Sequence, residues 1–464
     1  MLRSFCLEPR RIPHASAERL RRLQPLFHKL YDGLARDVEF ICAALAPPKH
    51  HECAWLAHEL SQYRKLAPHA NNKPRLLLPN SVYLQPSSSS SNEPFVLSVG
   101  NVQAGEPYQL QLVHTLQREE HGAQVEAGPL NAVCTALAEA AHLVHPTGET
   151  CVAILAKPLE LLAMRTRIDV RGVGERLRTR HGVSTVLYLS IDDLADAHVD
   201  PTTRELCLGP HRISTVYIRY DFSHPFGRHL DADDPLLNKG EFAEYLRREW
   251  RAVDAMERSS AVLSSSLGSR LGHRRRVQHA LRTQPGALER FLAPEEAAVV
   301  RAVLPEQWAL GGGSSPTAEA QEARERFEAA PDAFVAKSAL RPRTGSGATQ
   351  DRHASGGMPR TTASGIRELL STEAASWFLL YPKVCPQTHD AAIVHGGDVH
   401  HLDDAAASEI AAFGCHLTAP PADGGEAIID RVAGFGARTR PVDSSHPLAG
   451  GLGYGALNCV IAQN

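Results

Sequence analysis

Val152-Ala153-Ile154-Leu155-Ala156 and Thr185-Val186-Leu187-Tyr188-Leu189 are short, wholly apolar runs, and between them Val170 to His181 carries a helical pattern. A strand with one solvated face alternates apolar and polar residues. A run without alternation belongs to a strand covered on both faces, which is the habit of parallel sheets flanked by helices. Strand, helix and strand in that order predict a βαβ unit. Downstream, Leu206 to Leu208 and Thr215 to Tyr220 read as further strands joined through Gly209-Pro210, and Glu241 to Leu263 reads as one long helix. Upstream, Ala132 to Val144 is helical by its Ala and Leu content, and Leu76 to Leu78 and Phe95 to Val102 are strand-like. At the start of the chain Leu23, Leu26, Phe27, Leu30, Leu34 and Val38 recur at helical spacing, predicting one helix over Leu20 to Leu45 that Pro47-Pro48 ends. Trp55 to Tyr63 reads as a second helix. Strand-like pieces return at Phe334-Val335, Trp377 to Leu380 and Ile393-Val394. The fold class is α/β (α+β) with a partly parallel sheet.

The chain has 464 residues, enough for about three domains at roughly 150 each. Its 49 Lys and Arg against 52 Asp and Glu leave a net charge of −3, which excludes a general nucleic-acid footprint. No apolar run reaches the roughly 18 residues of a membrane span. The opening MLRSFCLEPRRIPHASAERL has no uninterrupted apolar core of a secretory signal. The nine cysteines are scattered without a CxxC pair, which points to free thiols in a reducing, cytoplasmic setting. Ser87 to Ser91 reads as a surface loop, and Leu340 to Ser364, rich in Gly, Arg, Thr and Ser, as either a mobile flap or disorder.

Three groups of residues could carry chemistry. Phe334-Val335-Ala336-Lys337 followed by Arg341, Arg343 and Gly345-Ser346-Gly347 could hold an anion, with the lysine as a point charge and the glycine-rich flap offering backbone N–H groups. It lacks the GxxxxGK[ST] pattern, so a basic solvated loop is the plainer alternative. His395, Asp398, His400, His401, Asp403 and Asp404 have the donor types of a Zn or Mn site, but Gly396-Gly397 and the acids look like a turn, and a solvated loop is favoured. His50-His51-Glu52-Cys53 is read as the start of a helix. Arg274-Arg275-Arg276 could meet phosphate. Neither a GxSxG elbow nor a local Cys–His pattern is present.

Several segments then resemble, in chain order, eukaryotic-type glutathione synthetase. Thr215-Val-Tyr-Ile-Arg219-Tyr-Asp-Phe222 is similar to V-V-Y-[FY]-R-x-G-Y, and Trp250-Arg-Ala-Val-Asp-Ala-Met-Glu257-Arg-Ser259-Ser-Ala261 to W-x-x-R-x-x-[LF]-E-x-S-x-A. Leu271-Gly-His-Arg-Arg-Arg-Val277-Gln278 resembles L-x-G-[ST]-K-K-[VI]-Q, and Phe334-Val-Ala-Lys337 resembles [FY]-V-L-K. Ser408-Glu409-Ile-Ala-Ala-Phe413-Gly414 resembles S-E-L-G-I-[FY]-G, and Arg438-Thr439-Arg440 with Gly450-Gly451 resembles L-R-[ST]-K followed by G-G-V-A-A-G. The resemblance implies an ATP-grasp body with an inserted parallel-sheet substrate domain and a mobile lid. It also implies a homodimer, ATP and Mg²⁺ as cofactors, and γ-glutamylcysteine and glycine as substrates, with neither nucleic acid nor membrane as a partner. The expected divisions are 1–147 and 222–315 in the body, 148–221 for the substrate domain, 316–402 for the lid, and 403–464 closing the body.

Carried over position by position, the resemblance implies ATP-binding roles for Arg275, Lys337, Lys383, Glu409 and Arg440. Arg219, Arg438, Leu452 and Gly453 would bind the substrate peptide, and Asn101 would be a metal ligand. Arg275 and Arg440 stand where the family has lysines, exchanging a point charge for a planar fork. Other departures touch the metal. In the segment resembling [QK]-[IV]-E-x-N-T, Val99 stands at the carboxylate position, and Thr344 replaces the second magnesium glutamate. Asn80 replaces an arginine and Phe222 a tyrosine. Glu106 or Asp351 could substitute as acids. Two functions of different class follow: a working ligase that makes glutathione, or a catalytically impaired homologue that binds or regulates an active synthetase.

Overall fold

The computed structural model describes residues 4–46, 54–85, 95–101, 107–121, 125–157, 161, 164–219, 240–311, 317–339, 362–423, 425–443 and 455–463. The Ser87–Ser91 loop, His50 to Cys53, most of the flap, Phe222, Thr344, Glu106, Asp351, Leu452 and Gly453 lie outside them. The strands that matter below, in chain order, are β1 (Phe5–Cys6), β2 (Arg75–Leu77), β3 (Pro79–Leu84), β4 (Phe95–Asn101), β5 (Cys151–Leu155), β6 (Thr185–Leu189), β7 (Thr215–Ile218), β8 (Val262–Leu263), β9 (Trp308–Ala309), β10 (Phe334–Ser338), β11 (Phe378–Pro382), β12 (His389–His395), β13 (Asp398–Thr418), β14 (Ala427–Pro441) and β15 (Ala456–Asn458). The helices that matter below are α1 (His14–Arg36), α2 (Val38–Leu45), α3 (Ala54–Ala70), α4 (Pro107–His121), α5 (Leu130–Val144), α6 (Met164–His181), α7 (Gly240–Arg258) and α8 (Arg275–Thr283).

This is a mixed α/β fold, as the patterning implies. The two apolar runs are β5 and β6, which pair in parallel from Cys151↔Thr185 to Leu155↔Leu189, with α6 as the crossover. All five residues of β5 are buried, which is why its sequence does not alternate. β7 joins the other side of β5 in parallel, and β8 completes the order β8-β7-β5-β6. A three-stranded antiparallel sheet runs β9-β11-β10. The largest sheet runs β12-β1-β15-β14-β13-β3-β4, with β2 paired to the far end of β13. Its centre is the long antiparallel pair of β13 and β14, from Ala406↔Pro441 to Thr418↔Ala427.

Two helices differ from expectation, each for a local reason. The first apolar stretch is two helices, because Asp37 leaves the helical path and its carboxylate accepts the backbone N–H of Phe40 at 2.9 Å, capping α2. The long helix expected to reach Leu263 ends at Arg258. There the buried Lys73 ammonium donates to the carbonyls of Met256 and Ser259, at 2.8 and 3.1 Å. It satisfies carbonyls that the ending helix leaves open and frees Val262-Leu263 to pair with Thr215-Val216 as β8.

Against α1, the buried His273 imidazole stacks on Tyr31 at 3.9 Å and donates from Nδ1 to the Ser269 carbonyl at 2.6 Å. Burial pushes its pKa down from 6.5 to about 3. Between those values the unfolded chain binds a proton that the folded chain refuses, so stability falls as the pH drops through this window, by about 1.4 kcal/mol per pH unit. Urea unfolding at pH 7, 6, 5 and 4 is expected to show His273→Phe, which keeps a stacked ring, losing one proton's worth of this slope. An identical slope in both proteins would place the acid sensitivity elsewhere.

Candidate active site

Strand β10 offers Lys337 from a half-buried position. In the antiparallel ladder Lys337 lies opposite Leu379 and Val335 opposite Tyr381, so these four share one face of the small sheet. The Lys337 ammonium sits 4.8 Å from the centre of the Tyr381 ring, and the Tyr381 hydroxyl donates to Gln307 Oε1 at 2.6 Å. Val335, Leu379, Tyr381, Ala309 and Ala339 form an apolar cluster of their own on this face. The opposite face, with Ala336, Phe378 and Leu380, belongs to the main core. The result is a small buried apolar cluster beside one half-buried cation.

Arg275 opens α8 and donates from Nη1 to the Ser338 carbonyl at 2.8 Å, while the backbone N–H of Arg276 donates to the Ala339 carbonyl at 2.9 Å. Helix α8 therefore begins against the end of β10, one residue from Lys337. Lys383 is exposed and follows β11, its backbone N–H donating to the Ala333 carbonyl at 2.7 Å. At about 3.4 Å per residue, that is roughly 17 Å along the ladder from the Ser338 end. Beyond it, the Gln387 N–H donates to the Gln85 carbonyl at 2.8 Å, returning the chain to the end of β3.

Glu409 stands on the rung beside that end. On β13 it lies opposite Leu84 of β3 on one side and Arg438 of β14 on the other. Its buried carboxylate accepts from Arg440 Nη2 at 3.2 Å. Both arginines are half-buried. A buried carboxylate holding a guanidinium, with a second arginine on the facing register position, is suited to orienting a polyanion while the acid keeps one fork in place.

The remaining expected residues lie elsewhere. Asn101 ends β4 opposite Pro79, and Val99 lies opposite Ser81, which in turn pairs with Ala412 of β13. Arg219 follows β7 and is buried against Asp169 of α6, Nη1 to Oδ2 at 2.8 Å. That carboxylate also accepts the N–H groups of Tyr108 and Gln109 in the first turn of α4. Asp169 escaped the sequence analysis because nothing in a helical stretch marks one acid as the partner of a distant arginine. His395 to Asp404 form no loop. They lie on the hairpin of β12 and β13 about Gly396-Gly397, whose positive φ angles of 67° and 108° make the turn. Strung along two strands, they do not come together as a metal-ligand group among the described residues. A cavity of about 750 Å³ lined by His58, Leu246, Trp250, Arg251 and Asp254 opens between α3 and α7, and none of the expected site residues lines it.

The sequence matches eukaryotic glutathione synthase, ATP-binding domain, over residues 2–461. The chain belongs to the eukaryotic glutathione synthase family. Among curated proteins none matches it. Among solved structures it is similar to a glutathione synthetase-like effector from Globodera pallida in apo form, with a TM-score of 0.68, 14% identity, and 100% of this chain and 91% of that one covered. At that identity the likeness concerns the fold. A structure from Methylobacillus flagellatus KT named for a gamma-glutamylcysteine synthetase gives a TM-score of 0.39 at 9% identity, covering 88% and 85%, too distant to bear on the argument. The glutathione synthase family is one of ATP-dependent ligases, and the matched domain is its nucleotide-binding one. Among the described residues no helix is long and apolar enough to cross a membrane, and the eight described cysteines are free thiols.

The family's Mg²⁺ finds a poor donor set at the expected positions. A valine offers no ligand, and Asn101 offers one neutral amide oxygen, whereas this hard cation is usually held by one or two carboxylates beside phosphate oxygens. Among the described residues, these two expected positions offer no carboxylate to a magnesium ion.

Proposed function

We propose that the protein is an ATP-dependent carbon–nitrogen ligase that joins glycine to γ-glutamylcysteine and yields glutathione. The observation that carries this reading is the match of residues 2–461 to the synthase family's ATP-binding domain. The chemistry sets clear demands. A carboxylate does not acylate an amine, so the peptide carboxylate oxygen first attacks the γ-phosphorus of ATP, expelling ADP and giving an acyl phosphate. The glycine amine then attacks the acyl carbon, and inorganic phosphate leaves with the bonding electron pair. In-line phosphoryl transfer is largely a matter of positioning and charge stabilisation, which cationic side chains supply.

In this reading the half-buried Lys337 and Arg275 meet the phosphates. Glu409 and Arg440, with Lys383, form the other wall of the nucleotide cleft. Arg438 holds a substrate carboxylate, as do Leu452 and Gly453 through their backbone, and Arg219 does so if it exchanges Asp169 for the peptide. Magnesium enters as its complex with ATP, held by the nucleotide's own oxygens with Asn101 at most assisting. A cytoplasmic homodimer, the lid over 316–402 and the substrate domain over 148–221 complete the proposal.

A second reading has one specific observation in its favour, the lack of a carboxylate at Val99 and Asn101: a homologue that binds nucleotide but turns over poorly and acts on an active synthetase. ADP release measured with γ-glutamylcysteine, glycine and a magnesium titration separates the two. The ligase reading expects ADP release that requires both substrates and rises with magnesium. Silence at every magnesium concentration, alongside intact ATP binding, would support the impaired homologue.

A further inference from the structure

Away from these residues, three metal-ligating side chains converge where α1 crosses the pair of β13 and β14. His28 of α1 is fully buried, His416 of β13 nearly so, and Asp430 lies directly opposite His416 on β14. Their ligand atoms all lie within 4.8 Å of one another. His28 donates from Nδ1 to Asp430 Oδ1 at 2.6 Å, and His416 Nδ1 stands 3.4 Å from the same oxygen. We propose that His28, His416 and Asp430 form a Zn²⁺ site that ties α1 to the β13–β14 pair.

Several observations distinguish this from an ordinary buried hydrogen-bond network. His416 Nδ1 is buried and makes no hydrogen bond, although it stands 3.4 Å from Asp430 Oδ1. Tetrahedral zinc with ligands at about 2.0–2.2 Å places donor atoms roughly 3.3–3.5 Å apart, the spacing that His416 and Asp430 already have. Ligation requires His28 Nδ1 to give up its proton and Nε2 to carry one, a change of tautomer with no change of charge. Nε2 then needs an acceptor. Gln24 lies 3.3 Å away through its Nε2, and its Oε1 is buried without a hydrogen bond. Rotation of that amide by half a turn supplies the acceptor, the outer-shell arrangement usual for a metal-bound histidine. The carboxylate side chain of Asp430 is 38% exposed, which leaves an entry path and a coordination position for water. Two imidazoles and one carboxylate suit zinc and not magnesium.

The test is a Zn²⁺ titration of the full chain against a chromogenic chelator, paired with Co²⁺ absorption. One equivalent of zinc is expected to bind, with a tetrahedral Co²⁺ spectrum lacking thiolate charge-transfer bands. His416→Ala should abolish that equivalent. Asp430→Asn keeps an acceptor for His28 at a part-exposed position, so it is expected to fold, and it should lose the equivalent too. Gln24→Leu should weaken zinc by about 10–100-fold. Zinc should raise the melting temperature of the wild type and not of Asp430→Asn. Equal zinc binding by wild type and Asp430→Asn would assign the metal to surface histidines or the exposed Cys385 and overturn the proposal. So would the absence of a bound equivalent in the wild type.

Discussion

Lys337→Ala is expected to weaken ATP binding by about 10–100-fold, measured by calorimetry or by displacement of a fluorescent nucleotide. The size follows from a charged hydrogen bond contributing about 1.5–3 kcal/mol where water is partly excluded. Two features make Lys337 more than a solvated lysine. It shares an apolar face with Val335, Leu379 and Tyr381, and its ammonium rests over the Tyr381 ring at 4.8 Å. The strand that carries it is fixed at its far end by the first turn of α8. Lys337→Arg separates charge from shape: it restores the cation but not the point-charge geometry, so affinity should recover in part. An unchanged ATP affinity in Lys337→Ala would remove Lys337 from the nucleotide site, and with it the residue-by-residue transfer on which the site rests.

What the sequence makes legible here depends on how its residues meet solvent. β5 is readable because both its faces are covered, so the apolar run is unbroken. The 21-residue β13 is not. Its start, Asp398 to Asp404, is polar because it forms an exposed hairpin, and its middle, Ala405 to Gly414, is alanine-rich enough to lack any clear period. Motif resemblance singled out Glu409 and Arg438, and the structure pairs them across β13 and β14. It could not supply Asp169, nor the meeting of His28 with His416 and Asp430. Those contacts join residues some 400 positions apart in one case, and no local pattern encodes them. Lys73 is a third instance, since a lysine beyond a helix gives no sign that it will end another helix from inside the protein.

Gly414 shows how a motif position and a packing constraint coincide. It is the final glycine of the segment that begins at Ser408, and a Cβ built there would lie 1.9 Å from His28 Nε2 and 2.8 Å from Gln24 Nε2. Helix α1 thus packs onto β13 with backbone, not side chain, beneath His28. The imidazole cannot simply retreat, because Nδ1 is tied to Asp430 at 2.6 Å and the residue is fully buried. Gly414→Ala must therefore displace α1 or break that hydrogen bond. Overpacking of this kind costs about 1–3 kcal/mol, and leaving a buried polar group unpaired costs a similar amount again. Gly414→Ala is accordingly expected to lower stability by roughly 2–5 kcal/mol in urea unfolding. The double variant Gly414→Ala with His28→Ala tests the cause. If the clash with His28 dominates, the second substitution, destabilising alone, should cost little or nothing in the Gly414→Ala background, a coupling well beyond the few tenths of a kcal/mol of independent sites. Additive losses would mean that Gly414 matters for the strand itself and not for the approach of α1.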